Sequence, residues 1–209
     1  PSPNIMNKLS RAILAMYSYD DDAENTSLES ELEKALRITS LMCNISVKAY
    51  QVRRRYYEGK TMYLHPIEHG LSIAEEFLSL LRIDREYTKE EALLLDLCLI
   101  LHAEHGGGNN STFACRVLSS SGTDAYSAYA SAVGSLKGPK HGGANIKVLE
   151  MVNDIKAHVS DYTNRQQVSD YLVKIINKEA HDHTGLVYGM GHAVYTLSDP
   201  RAQILKATA

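Results

Sequence analysis

The sequence predicts an all-α protein, and the prediction depends on two observations. Apolar residues recur at helical spacing along most of the chain, for example from Ile5 to Met16. No segment of useful length alternates between apolar and polar residues, which is the pattern of a half-buried strand. The chain has 209 residues, of which 44% are hydrophobic, so it is long enough for one large domain, or a domain and a half, with its own core.

The first predicted helix is amphipathic and stops at the acidic turn 20–22. A second helix begins with Ser27 as its capping residue and runs to Gly59, a length that is unusual for a single helix and could hide a break. A turn-rich connection follows, because Pro66 and Gly70 both interrupt helical hydrogen bonding.

Two further helices are predicted before the middle of the chain. The segment 71–82 is a short helix. Thr88, with Glu91 three residues later, forms a capping box at the start of a fourth helix, which is apolar enough to be mostly buried. That helix ends at His102 and His105, and the glycines at 106–108 then loosen the chain.

The rest of the chain is also predicted to be helical. Two segments start at an Asn or Asp cap and are rich in Ala and Ser, which permits close approach between helices. The predicted helices are 109–121, 124–136, 146–159, 166–180 and a short final one after Pro200.

Composition and charge exclude several classes of protein. A net charge of -3 with 22% charged residues is too balanced for a nucleic-acid or membrane-surface binder. The longest apolar run, 92–101, is interrupted by Asp96 and is about half of what a bilayer span needs. Three isolated cysteines are interpreted as buried thiols in a reducing cytoplasm: Cys43, Cys98 and Cys115. With no signal-peptide pattern at the start, we expect a cytoplasmic protein.

The segment "GPKHGGAN" places His141 between a Gly-Pro break and a Gly-Gly pair. One interpretation is an interhelical turn with a capping histidine. The functional interpretation is that the glycines let a ligand approach the backbone while the preceding helix end fixes the imidazole. A histidine in that position is suited to donate a hydrogen bond to a developing oxyanion or enol.

The segment "HAEHGGGNNSTF" brings His102 and His105 one helical turn apart, so a metal site is one alternative. The sequence offers no obvious third and fourth ligands, and His102 is interpreted as a satisfied core histidine. His105 differs because it stands at the helix end beside three glycines, where small anionic ligands can meet backbone and side-chain donors.

The segment "GLVYGMGHAVYTLSDPR" sets His192 after a Gly-x-Gly opening and puts Arg201 in the first turn of a predicted helix. A positive charge there is unfavourable with the helix dipole. Recognition of a dicarboxylate or phosphate would explain its position, and a surface pair with Asp199 is the alternative. The other histidines are interpreted as surface or loop residues: His65, His69, His158, His181 and His183.

These three segments, in this order and spacing, resemble the citrate synthase family, and a weaker resemblance covers essentially the whole chain. The resemblance implies an all-α, citrate synthase-like fold with two parts. Residues 1–141 would belong to the large, dimer-forming helical domain, and residues 142–209 would begin the small, CoA-binding domain. Lys140 departs from the family, which often has an apolar residue at this position.

The resemblance also implies roles for individual residues. His141 would hydrogen-bond the thioester carbonyl and stabilise the enol of acetyl-CoA, with Ser111 orienting it. His192 would polarise and protonate the ketone of oxaloacetate, which His105, Asn109 and Arg201 would also contact. The adenine end of CoA would bind the backbone of five residues, here named the glycine loop: Val187, Tyr188, Gly189, Met190 and Gly191.

The implied enzyme is a homodimeric acyltransferase of the tricarboxylic acid cycle. It has no tightly bound cofactor and no metal, and it uses acetyl-CoA as co-substrate with oxaloacetate. The family's aspartate base and two more carboxylate-binding arginines lie beyond the "DPR" segment, and part of the family's N-terminal region has no counterpart here. We therefore expect a fragment that is inactive alone. The alternatives are a 2-methylcitrate synthase that uses propionyl-CoA and a non-catalytic helical dimerisation module.

Overall fold

The computed structural model describes residues 2–103, 108–191 and 197–208. Within these ranges the regular structure is helical and includes no strand, which confirms the predicted all-α class. A short 3-10 turn, Tyr17–Tyr19, follows the first helix. The α-helices are α1 Ile5–Met16, α2 Leu28–Tyr57, α3 Ile73–Leu81, α4 Lys89–Ala103, α5 Asn110–Ser119, α6 Ala125–Leu136, α7 Ala144–His158, α8 Arg165–Ile176 and α9 Pro200–Thr208.

The capping residues define the predicted helix starts. The Thr88 amide donates to Glu91 Oε2 over 2.8 Å, and the Glu91 amide donates to Thr88 Oγ1 over 3.2 Å. This reciprocal pair is the predicted capping box. Helix α2 is one continuous helix of 30 residues, so it contains no break. Helix α8 ends at Ile176, earlier than predicted, because Lys178 adopts the left-handed conformation with φ of 65°.

The chain forms two compact units. The first unit comprises Pro1–Lys137 together with Arg201–Ala209, and the second comprises Gly138–Pro200. The first boundary between the units lies at 137/138, and the whole turn around His141 groups with α7. Nearly all of α9 groups with the first unit instead of with the residues before it. The correspondence of the units to a large and a small family domain stays a prediction.

The core of the first unit lies where α1, α2 and α6 meet. Ile13 of α1, Ile38 of α2 and Tyr126 of α6 are buried together. The Ser10 hydroxyl donates to the carbonyl of Ala130 over 2.9 Å, which ties α1 to the Ala- and Ser-rich face of α6. Small residues on α6 allow this close approach, as the sequence predicted.

Helix α4 is more exposed than its apolar sequence suggested. Ala92 is its one buried residue among those described, whereas Leu93 is 69% and Ile100 is 61% exposed. The helix is apolar on all sides, and the neighbour that packs along it in this unit is α3. An open apolar groove of about 710 Å³ remains between it and α2 and α6. The prediction of a mostly buried helix is therefore wrong for this chain.

The interpretation of the cysteines as buried thiols is confirmed for one of the three. Cys43 is buried, and burial raises the pKa of its thiol to about 12. Cys98 and Cys115 are half-buried, because the α4 and α5 faces on which they lie are partly uncovered. Within the described ranges, the helices include none that is long and apolar enough to cross a membrane.

Candidate functional site

His141 lies in a tight turn between α6 and α7. Its amide donates to the carbonyl of Gly138 over 3.0 Å, and the Gly143 amide reaches the same oxygen over 3.3 Å. Its own carbonyl accepts from the Ala144 amide, over 3.4 Å, at the start of α7. The backbone of His141 is thus held on both sides, while its residue surface is only half-buried.

Gly143 shows why part of this segment must be glycine. A Cβ at this position would lie 2.7 Å from the Cα of Pro139, closer than nonbonded atoms approach. The glycine is therefore required for the chain to close the turn. The sequence interpretation assigned the glycines to ligand access, and for Gly143 the structure supplies a reason within the fold. The closed turn holds the backbone that carries the His141 side chain.

Asn109 and Ser111 lie together at the start of α5 in the first unit. The Asn109 side chain caps the helix by accepting from the Ser111 amide over 2.9 Å and from the Thr112 amide over 3.3 Å. The neighbouring Asn110 amide group donates to Ser135 Oγ over 2.8 Å, so α5 is anchored to α6. The two predicted site residues are therefore fixed by one helix terminus.

Arg201 lies in the first turn of α9, directly after Pro200, as predicted. Proline suits the first helical position because it needs no hydrogen bond from its nitrogen. The positive end of the helix dipole makes an arginine in this turn costly unless an anion offsets it. Arg201 belongs to the first unit.

The glycine loop lies against α7 in the second unit. The Met190 amide donates to the Val187 carbonyl over 3.3 Å, which closes a turn. Gly189 has φ of 81°, and a Cβ there would lie 3.1 Å from Val148 Cγ2 of α7. Glycine is favoured at this position for two reasons: it tolerates the left-handed conformation, and it lets the loop backbone lie close to Val148. The structure brings His141 and the five loop residues into one unit.

Tyr188 is the one loop residue whose side chain is held by several others. Its hydroxyl donates to Asp182 Oδ2 over 2.6 Å. That hydrogen bond is the main reason why the pKa of Asp182 falls to about 2, with Thr184 as a second donor. Tyr188 also meets His181 edge to face, with ring centroids 6.1 Å apart.

His181 lies in the loop after α8, which agrees with its interpretation as a surface or loop residue, but its side chain is not on the surface. Its side chain is only 9% exposed, and Nδ1 lies 3.6 Å from Asp154 Oδ2. His65 is also less exposed than expected, since its Nε2 is buried. Short-range sequence patterns gave no signal for either residue, because their burial depends on contacts distant in the chain. His69, His158 and His183 are exposed, as predicted.

Two predicted site residues, His105 and His192, lie outside the described residues. His102 is exposed, and its Nδ1 lies 2.6 Å from the carbonyl oxygen of Cys98 one turn earlier. It is a satisfied histidine but not a core one. In the part of the chain that the structure describes, no group of three or more His, Cys, Asp or Glu could hold a metal ion.

The sequence matches the family model "Citrate synthase, C-terminal domain" over residues 1–209. Among curated proteins, it is 40% identical over 205 residues to a citrate synthase of Haloferax volcanii, covering 97% of this chain and 49% of that protein. It is 34% identical to a citrate synthase of Corynebacterium glutamicum, covering 98% of this chain and 44% of that protein.

Solved structures give the same result. The fold matches citrate synthase from Pyrobaculum aerophilum with a TM-score of 0.75 and 28% identity, covering 98% of this chain and 48% of that one. It matches citrate synthase from Thermotoga maritima with a TM-score of 0.70 and 29% identity, covering 99% and 49%. The chain spans about half the length of the relatives it matches. Because the family model and these relatives cover nearly all of its residues, the chain belongs to the citrate synthase family.

Proposed function

We propose that the complete gene product containing this chain condenses acetyl-CoA with oxaloacetate to give citrate and CoA. The observation that carries the proposal is the family match along residues 1–209, with His141 held in the turn before α7. The condensation begins by removing a proton from the methyl group of a thioester. Its barrier falls when a donor stabilises the charge that develops on the carbonyl oxygen.

His141 would be that donor. The backbone hydrogen bonds on both sides of it fix the residue before the substrate arrives, and such preorganisation gives an oxyanion donor its effect. A neutral imidazole can donate from one nitrogen while the other accepts. Ser111 would accompany His141 as the residue that orients its ring.

His192 would polarise the ketone of oxaloacetate and protonate it as the carbon-carbon bond forms. Arg201 would bind a carboxylate of oxaloacetate, because a guanidinium offers two parallel hydrogen bonds that match a carboxylate. His105 and Asn109 would complete the oxaloacetate contacts.

The glycine loop would receive the adenine end of CoA. Gly189 and Met190 are both exposed, Met190 to 76%, so this part of the loop is accessible to a ligand. We also propose a cytoplasmic homodimer without a tightly bound cofactor, with oxaloacetate and acyl-CoA as its small-molecule partners.

Oxaloacetate-dependent release of free thiol from acetyl-CoA tests the proposal with the complete gene product. His141→Ala should lower kcat by about 10²–10⁴-fold, the usual contribution of a positioned acid or donor. Lys140→Ala is the matched control, because Lys140 is the exposed neighbour in the same turn, and it should keep the wild-type rate. No oxaloacetate-dependent release from folded protein would contradict the proposal.

The same assay with propionyl-CoA identifies the acyl group. A single methylene changes pocket affinity by about 1–3 kcal/mol, so the two thioesters should differ by about 10- to 200-fold in kcat/KM. Preference for acetyl-CoA would support a citrate synthase. Preference for propionyl-CoA would reassign the protein as a 2-methylcitrate synthase.

A further inference from the structure

His181 combines two unfavourable features at one position. It adopts the left-handed conformation with φ of 57°, which is strained for a residue with a Cβ. Its Nε2 is buried and, among the described residues, has no hydrogen-bond partner. Such costs persist where surrounding contacts hold the residue in place, and they concentrate at functional positions.

The surrounding contacts start at Asp154, one turn before the end of α7. Its Oδ2 accepts from the Tyr171 hydroxyl of α8 over 2.8 Å and lies 3.6 Å from His181 Nδ1. Its Oδ1 lies 3.3 Å from Nδ1 of His158, whose ring stacks on Tyr171. Asp154 therefore joins α7, α8 and the segment that carries His181.

His181 contacts both Asp154 and a residue of the glycine loop. Its ring meets Tyr188 at an interplanar angle of 82°, the edge-to-face geometry that aromatic pairs prefer. Tyr188 is fixed at its other end by the hydrogen bond to Asp182. The loop is thus held to α7 at two points, through Gly189 on Val148 and through His181 on Asp154.

We propose that His181 is a positioning residue for acyl-CoA: by contacting Asp154 on one side and Tyr188 on the other, it holds the glycine loop in the orientation that receives the adenine end of CoA. The inference rests on the proposed function, because it deepens the role of that loop. His181 does not touch the reacting atoms in this account. Its loss should therefore affect acyl-CoA binding and leave the chemical step unchanged.

The test measures kinetics of the complete gene product carrying His181→Ala. Loss of the ring contact should raise KM for acetyl-CoA about threefold to tenfold, with kcat and KM for oxaloacetate unchanged. His181→Phe removes the buried nitrogens but keeps a ring against Tyr188, so it should fold and show a smaller rise.

His183→Ala is the matched control. His183 has the same φ of 57° and lies two residues further along the same segment, but it is exposed and its Nδ1 contacts the Lys178 carbonyl over 2.9 Å. It should keep the wild-type KM. Amide hydrogen exchange over residues 186–191 supplies a second readout, which should accelerate in His181→Ala and not in His183→Ala.

The outcomes separate the inference from the proposed function. A wild-type KM and unchanged loop exchange in His181→Ala would overturn the inference, and so would a fall in kcat without a change in KM. If the wild-type protein releases no thiol, the proposed function fails. The inference is then decided by whether added CoA slows exchange of the glycine loop more in the wild type than in His181→Ala.

Discussion

The contacts that stabilise the inside of each unit are of different kinds. In the first unit, apolar residues of α1, α2 and α6 bury one another, with Ile13 and Tyr126 almost fully inside. In the second unit, the described buried apolar residues are few, namely Met151, Val159 and Ile175. A polar cluster around Asp154 connects its segments instead.

The two kinds of contact suit different structural tasks. Apolar burial is strong but non-directional, and it stabilises the first unit as a scaffold. Hydrogen bonds and ring contacts are directional, and satisfied polar networks rigidify what they connect. If the glycine loop binds CoA as proposed, the second kind of contact suits it better.

The largest loss of stability should come from a substitution in the apolar core of the first unit. Ile13→Ala removes a side chain that is only 1% exposed and should lower the free energy of unfolding by about 2–5 kcal/mol. Leu14→Ala, next in the chain and 48% exposed, is the control and should cost far less. Urea unfolding followed by circular dichroism measures both, and equal losses would show that α1 is not the core element described.

A smaller effect is expected from the polar cluster of the second unit. Asp154→Ala leaves the Tyr171 hydroxyl without its acceptor, removes the carboxylate 3.6 Å from His181 Nδ1, and should cost about 1–3 kcal/mol. Hydrogen exchange should accelerate in residues 181–191 before it accelerates in α1. Asn153→Ala, exposed on the same helix, should change neither. An acceleration that is uniform along the chain would remove the distinction between the units.

Alanine substitutions at the two glycines of the loop should raise KM for acetyl-CoA by different amounts. Both Gly189 and Gly191 have positive φ, so alanine at either should cost about 1–2 kcal/mol of backbone strain. At Gly189 the added methyl group also meets Val148, whereas at Gly191 nothing described lies within 4 Å. Gly189→Ala should therefore raise KM for acetyl-CoA more than Gly191→Ala does. The reverse order in a thiol-release assay would contradict the contact with α7.

The smallest effect concerns an exposed polar pair of the first unit. Arg82 donates to both carboxylate oxygens of Glu91, and together with Thr88 it lowers the pKa of Glu91 to about 2. A depressed pKa means that the stabilisation is complete above about pH 4.5 and is lost as pH falls toward 2. The stability difference between wild type and Glu91→Gln should therefore shrink over that range.

Thermal unfolding at several pH values checks this prediction, with the adjacent Glu90→Gln as control. A stability difference that stays constant down to pH 2 would show that the ion pair is not its source. Because both partners are more than a third exposed, solvent screens the pair and the effect should stay small.

The contrast between local patterns and contacts distant in the chain explains which features the sequence could predict. Helix starts follow local rules, so the caps at Ser27, Thr88, Asn109 and Asp124 were all identified correctly. The core of the first unit follows helical periodicity, which a sequence displays directly. The end of α8 was missed because Lys178, a residue with no turn preference, takes the left-handed conformation there.

The two helices of the second unit were predicted, but its tertiary contacts were not, because they link residues far apart in the chain. His181 meets Asp154 from 27 positions away, and nothing in the neighbouring sequence marks its burial. The need for glycine at 143 comes from the approach of Pro139, a contact visible only once the turn is closed. For α4, apolar composition predicted burial, but burial depends on neighbours that composition does not specify.

The most direct measurement compares His141→Ala and His181→Ala in one oxaloacetate-dependent thiol-release assay with acetyl-CoA. We predict that His141→Ala loses kcat, because it removes the proposed donor at the reacting carbonyl. We predict that His181→Ala keeps kcat and raises KM for acetyl-CoA, because it loosens the glycine loop. Equal loss of kcat in both variants, with KM unchanged, would contradict the separation of chemistry from positioning on which the account depends.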